Sequence, residues 1–125
     1  VTKHDIDVVP IPGASAIISL LSVSGMPTDE FVFFGFLPHK KGRQTKLQRI
    51  IDCQQTIVLY ESKHRIEKLL RELKEIGIEE RQIVLGRELT KQFEHIYRGT
   101  VDQIAEKLGA DKIKGEFVLV IERNK

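Results

Sequence analysis

The chain is predicted to be an α/β protein with a mixed central sheet of about five strands flanked by helices, and three observations carry that reading. Stretches with apolar residues at helical spacing alternate with short runs that are apolar on both faces, the pattern of strands covered by helices. The run Phe117–Ile121, FVLVI, is the most apolar in the sequence and reads as an interior strand. Between Arg87 and His95 two strand candidates follow one another too closely for an intervening helix, so the sheet is mixed rather than purely parallel.

Taken in order, Val8, Val9 and Ile11 form a short extended run, broken by Pro10 and closed by Pro12-Gly13. A helix follows from about Ala14 to Ser24, with Ser15 a candidate cap, Ile17, Ile18 and Leu21 on its apolar stripe, and Gly25 and Pro27 to stop it. FVFFGF, Phe31 to Phe36, is expected to be a strand covered on both sides, with Phe31, Phe33, Phe34 and Phe36 in the core. Pro38 to Gly42 is a loop, and Arg43 to Cys53 carries Leu47, Ile50 and Ile51 at helical spacing. TIVLYE, Thr56 to Glu61, is a buried strand. Ser62 is placed to cap the next helix, whose stripe is Ile66, Leu69, Leu70 and Leu73 and whose end is Gly77. Gln82 to Arg87 and His95 to Thr100 are strands. Thr100 and Gln103 then form a T-x-x-Q capping box for a helix that buries Val101, Ile104 and Leu108 before Gly109. Glu116 to Glu122 completes the order αβαβαββαβ.

The composition narrows the function classes. At 125 residues, 41% hydrophobic and 30% charged, the chain is one domain's worth with a real core. The single cysteine, Cys53, excludes an intrachain disulfide and a cysteine-rich zinc site, and reads as a packed thiol in a reducing cytoplasm. No apolar run approaches the roughly 18 residues of a membrane span. His4, His39, His64 and His95 are scattered, and no Walker loop, G-x-G-x-x-G, G-x-S-x-G or H-E-x-x-H is present, so a metal site or a hydrolase has nothing to stand on. Net charge is only +2, yet Lys40, Lys41, Arg43, Lys46 and Arg49 follow one another without an acidic residue between them. The sequence opens without a methionine and is read as a piece of a longer protein.

Three loops stand where α/β sheets place their ligands, at the ends of buried strands. PIPGASA, Pro10 to Ala16, runs into a helix N-terminus, whose free N–H groups can meet a polar ligand; the plainer alternative is a simple helix start. YESKHR, Tyr60 to Arg65, could equally be a solvated turn with Glu61 and Arg65 paired across it. RELTK, Arg87 to Lys91, could be a surface turn with a weak local ion pair. Together they gather arginines, glutamates and lysines at one sheet edge. GFLPHKKGR adds a basic loop suited to a flexible polyanion, against the alternative of a solubilising turn.

As a set, PIPGASAIISLLSVSGMPTDEFVFFGFLPHKKGR, TIVLYESKHRI, RELTKQFEHIYRGT and KGEFVLVIE resemble the ribosomal RNA small subunit methyltransferase I family of the tetrapyrrole-methylase superfamily, over nearly the whole chain from Val8 to Glu122. The resemblance implies the C-terminal domain of a two-domain enzyme, spanning residues 1–125, with S-adenosyl-L-methionine in the cleft between the halves. By similarity Ser15, Ala16, Glu61 and Leu89 meet the cofactor, largely through backbone groups. Lys40, Lys41, Arg43, Arg65, Arg87 and Lys91 are the candidates for RNA phosphate contacts. The acceptor implied is the 2′-hydroxyl of a cytidine in small-subunit ribosomal RNA. The catalytic base is unassigned, with Glu88 and Lys91 the nearest candidates. No metal is implied, a homodimer is expected, and the isolated piece is expected to be inactive without its N-terminal domain. Arg123 departs from the family, which often has glycine there, and a helical tail found in many members does not follow. Methylation of a tetrapyrrole or another small molecule is the alternative within the enzyme class, and a non-catalytic RNA-binding module the alternative outside it.

Overall fold

A computed structural model describes residues 15–89, 92, 94–111 and 115–124. The elements are α1 (Ala16–Ser24), β1 (Phe31–Phe36), α2 (Arg43–Asp52), β2 (Thr56–Ser62), α3 (Ile66–Glu75), β3 (Ile83–Arg87), β4 (His95–Gly99), α4 (Val101–Gly109) and β5 (Glu116–Ile121). This is the order αβαβαββαβ expected from the sequence. The extended run at Val8–Ile11 lies outside the described residues.

The strands form one five-stranded mixed sheet in the order β1-β2-β5-β3-β4. Only β1 and β2 pair in parallel; β5 lies antiparallel between β2 and β3, and β4 pairs antiparallel with β3. The tight step between β3 and β4 does make the sheet mixed. So does the last strand, entering at the centre against both neighbours, a reversal that no local pattern announces.

Strand alternation divides the core in two. Ile57, Leu59, Ile83, Leu85, Phe117, Leu119 and Ile121 face α2, α3 and α4 and pack with Leu47, Ile50, Leu69, Leu73, Ile104 and Leu108. Val58, Val84, Val118 and Val120 face the other way, against Leu20 and Leu21 of α1 and against Leu89. The predicted stripes of α3 and α4 are the buried ones.

Local chemistry sets the helix ends. Ser15 caps α1 by accepting the Ile18 N–H, and Gly25 ends it at φ 75°. The capping box of Thr100 and Gln103 opens α4 with both reciprocal bonds made. Ser62 does not cap α3. It is the last residue of β2, and Arg65 takes the cap position without a side-chain bond. At the far end of α4 the Tyr97 hydroxyl donates to Asp111 at 2.6 Å. Burial, then that bond, pushes the phenol up to about 12.

One strand differs from its prediction. FVFFGF is a strand, but it is an outer one, and its α1-side face is open: Phe31, Phe33 and Phe36 are 38%, 45% and 61% exposed. Phe34, on the opposite face, does pack against the main core. Between Phe33 and Gly35 the register with β2 slips by a bulge, and Phe33 and Phe36 both lean on Tyr60, with ring centres 5.0 and 5.5 Å away.

Candidate functional site

Because β1 and β2 are parallel and β5 is antiparallel to both β2 and β3, strands β1, β2 and β3 point the same way. The loops leaving them therefore meet at one sheet edge, together with the turn entering β5. The N-terminal end of α1 joins them: Ala16 and Ile17 pack in the same cluster as Leu89, while Ser24 to Pro27 lie beside the opposite ends of β3 and β4. Five segments that are far apart in sequence thus converge, and Ser15, Ala16, Glu61 and Leu89 are all on them.

Their side chains play different parts. Leu89 is only 8% exposed and folds back over β3. Gly86 makes that possible, since a Cβ there would lie 2.9 Å from the leucine's Cγ and both methyls. Glu88 adopts φ 50°, the left-handed region that residues other than glycine seldom enter. Two bonds hold it there: its N–H donates to the Glu116 carbonyl at 3.1 Å, and its Oε1 accepts the Glu116 N–H at 2.9 Å. Gly115, at φ 79°, leaves space for the carboxylate, because a Cβ would stand 1.7 Å from that same Oε1. Glu88 is thus a clasp between the β3 loop and β5. That employment argues against the catalytic-base role considered for it. Lys91 lies outside the described residues.

Glu61 is 3% exposed and shares the helix-side face with Ile57 and Leu59. Its carboxylate accepts the Ser62 N–H at 2.8 Å rather than pairing with Arg65. What it can offer a ligand at the edge is its backbone.

The basic residues that look like one patch in sequence are divided by the fold. Arg43 is 4% exposed, its guanidinium bonded to both Glu72 oxygens, at 2.6 Å in the closest contact, and to the Pro38 carbonyl at 2.9 Å. The bond from Arg43 holds the Glu72 carboxyl below the usual carboxylate range. Arg43 therefore ties the Pro38–Gly42 loop to α3, and among the described candidate phosphate contacts it is the one buried against a carboxylate. Lys46 and Arg49 sit over the Phe34 ring at 5.4 and 4.9 Å, on the flank of α2. Lys40 and Lys41 remain exposed at the site edge. Arg65, half-buried, reaches back from the β2 end to His39, one of the four scattered histidines. Arg87, also half-buried, ends β3 at the same edge.

An α/β sheet that gathers its helix start and strand-end loops along one edge, with cations beside them, has the geometry at which open α/β folds take up ligands. Residues 1–105 match the tetrapyrrole (corrin/porphyrin) methylases, and the chain belongs to that family. Within it, the chain is 46% identical over 120 residues to the ribosomal RNA small subunit methyltransferase I of Haemophilus influenzae, and 44% identical over 120 residues to that of Synechocystis sp.. Those alignments cover 94% and 95% of this chain but 42% and 43% of the relatives, so the chain spans about two fifths of the length of the curated proteins it matches. Among solved structures, a cobalt precorrin-4 methyltransferase superposes with a TM-score of 0.68 at 17% identity, covering 97% of this chain and 54% of the other. A uroporphyrin-III C-methyl transferase from Thermus thermophilus, complexed with S-adenosyl homocysteine, superposes with a TM-score of 0.57 at 18% identity, covering 97% and 55%. At such identities these structures establish the mixed five-stranded fold.

Proposed function

We propose that the chain is the C-terminal domain of a two-domain methyltransferase that moves a methyl group from S-adenosyl-L-methionine to the ribose 2′-hydroxyl of a cytidine in small-subunit ribosomal RNA. The observation that carries this is the 46% identity, over nearly the whole chain, to a protein named for small-subunit ribosomal RNA methylation. The converging loops give the reading its geometry.

The residues at the edge fit a nucleoside-bearing cofactor. The first turn of α1 has N–H groups with no partner inside the helix, and Ser15 and Ala16 stand at that turn. Leu89 beside Ala16 supplies an apolar wall, and the Glu61 backbone closes the β2 side. Bound there, S-adenosyl-L-methionine supplies the activated methyl for an in-line displacement. This domain's own work is positional. Ser15, Ala16, Glu61 and Leu89 fix the cofactor, while Lys40, Lys41, Arg65, Arg87 and Lys91 hold RNA phosphates, lysine as a point charge and arginine as a two-pronged donor. Arg43 serves indirectly, by holding the loop that carries the two lysines. The proton acceptor for the 2′-hydroxyl stays unassigned between Lys91 and the other domain, since Glu88 is engaged with Glu116. On this reading the domain alone is expected to turn over no substrate, and the complete enzyme is expected to work in the cytoplasm as a homodimer.

The test uses the full-length protein with methyl-labelled S-adenosyl-L-methionine and small ribosomal subunits from cells lacking the enzyme. Label is expected on a cytidine ribose. Cofactor binding without RNA labelling would overturn the RNA acceptor in favour of a small molecule, as in the corrin and porphyrin enzymes that share the fold. RNA binding with no response to cofactor would instead support a non-catalytic module.

A further inference from the structure

His39 and Arg65 are 26 residues apart in sequence, and the parallel pairing of β1 with β2 brings their loops side by side. One guanidinium nitrogen of Arg65 lies against His39 Nε2, and the other stands 3.0 Å from Nδ1. A guanidinium has only donors, and a neutral imidazole has one acceptor nitrogen and one N–H. Facing edge to edge, the two groups therefore satisfy at most one of the two contacts, and the remaining pair sets donor against donor. If the ring is protonated, both contacts are opposed. The two salt bridges among the described residues are Arg43–Glu72 and Lys74–Asp102, so no carboxylate answers Arg65 there.

The surroundings are of one sign. Lys40 and Lys41 flank His39 on its own loop, and Lys63 and His64 precede Arg65 on the turn after β2; all four are exposed. The N-terminal ends of α2 and α3 open beside these residues, capped by Gly42 and Arg65 with no side-chain hydrogen bond at either. Their first-turn N–H groups add positive potential. Of the acidic groups nearby, Glu61 is buried and bonded to Ser62, Glu72 is taken by Arg43, and Glu67 is exposed in the first turn of α3.

We propose that His39 and Arg65 are the two jaws of a clamp for a single phosphate group, with the imidazole taking up a proton as the anion enters. The oxygens of a phosphate accept from both prongs of Arg65 and from the ring N–H, which turns an opposed donor pair into a satisfied set. Because the bound state holds one more proton than the free one, affinity rises as pH falls across the range in which histidine changes charge. The proposal deepens the RNA reading, from which it takes a phosphodiester as the bearer of the phosphate; free phosphate has the same chemistry.

The experiment follows the His39 imidazole signals of the 125-residue chain by NMR, with a six-nucleotide uridine oligoribonucleotide and, separately, inorganic phosphate, at pH 6 and pH 8. The expected result is a shift of those signals on RNA addition, with affinity about tenfold higher at pH 6. His39→Ala is expected to lose most of that pH dependence. Arg65→Ala is expected to weaken binding at both pH values. Both residues lie at the surface, and circular dichroism confirms that each variant is folded. RNA binding with the same pH dependence in His39→Ala would overturn the clamp and leave the RNA reading standing. A pH-dependent response to inorganic phosphate with none to RNA would keep the clamp and overturn the RNA reading. Unmoved His39 signals with both probes would overturn the clamp outright.

Discussion

The two faces of the sheet are built to different standards. One is clad by α2, α3 and α4 and holds the fully buried Ile57, Leu59, Ile83, Leu85, Leu119 and Ile121. The other is covered, among the described residues, by α1 and leaves Phe31, Phe33 and Phe36 of the outer strand in the open. Even α1 is apolar on its outward side, where Ile18 and Val23 are 56% and 43% exposed. The clad face carries the stabilising core, while the α1 face leaves apolar side chains unfinished among the described residues. The candidate cofactor residues Ser15, Ala16 and Leu89 lie on that unfinished side.

The comparison can be broken most forcefully from the clad side. Leu69→Ala removes a side chain with no exposure from the α3 stripe and is expected to cost about 3–5 kcal/mol in chemical denaturation. A loss below 1 kcal/mol would show that this face is not the stabilising one.

Arg43→Ala is next. It strands Glu72, which is 13% exposed, and is expected to cost about 2–4 kcal/mol. Its signature is in the pH dependence. The folded-state Glu72 carboxyl titrates below its unfolded value, so the pair's stabilisation is complete above the ordinary carboxylate range and fades as pH falls through the lowered value. Acid titration of the wild type should show that fading, and Arg43→Ala should show less of it. Parallel acid profiles would remove the ion pair from the account.

The smallest effect is expected on the open face. Phe36→Ser should change the folding stability of this chain by no more than about 0.5 kcal/mol, because the ring is already 61% exposed. In the full-length protein the same substitution should matter more. Equal insensitivity in both would mean that the open face has no covering layer.

Much of this architecture was legible because local chemistry agreed with the fold. The stripe Ile66, Leu69, Leu70, Leu73, the T-x-x-Q box and the apolar run at Phe117–Ile121 each mark an element that the structure contains. What was not legible depended on partners distant in sequence. FVFFGF looks covered on both faces because periodicity reports apolarity and cannot report the absence of a neighbour. The basic run from Lys40 to Arg49 looks like a single patch, yet a helix turns successive residues apart, and Glu72 on another helix decides that Arg43 points inward. His39 reads in sequence as one of four scattered histidines, and its pairing with Arg65 is hidden because that partner is on a different loop. The places of Glu61 at the end of β2 and Leu89 just past β3 could be read from strand ends, and that of Ser15 from a helix start. The Glu88 clasp could not, because it needs Gly115 across the sheet.

The central place of β5 also orders the making of the molecule. This strand comes last among the elements and yet separates β2 from β3, with Ile121 paired to both Ile57 and Ile83. A ribosome that has completed α4 has delivered four of the five strands of this sheet, but the β1–β2 and β3–β4 pairs still lack the strand that joins them. Contacts between residues so distant in sequence form slowly, since the loop must close before they reward it. The growing chain therefore carries exposed valines and isoleucines until its final strand is released. For this domain, a chaperone at the exit tunnel has more to guard than the finished surface reveals.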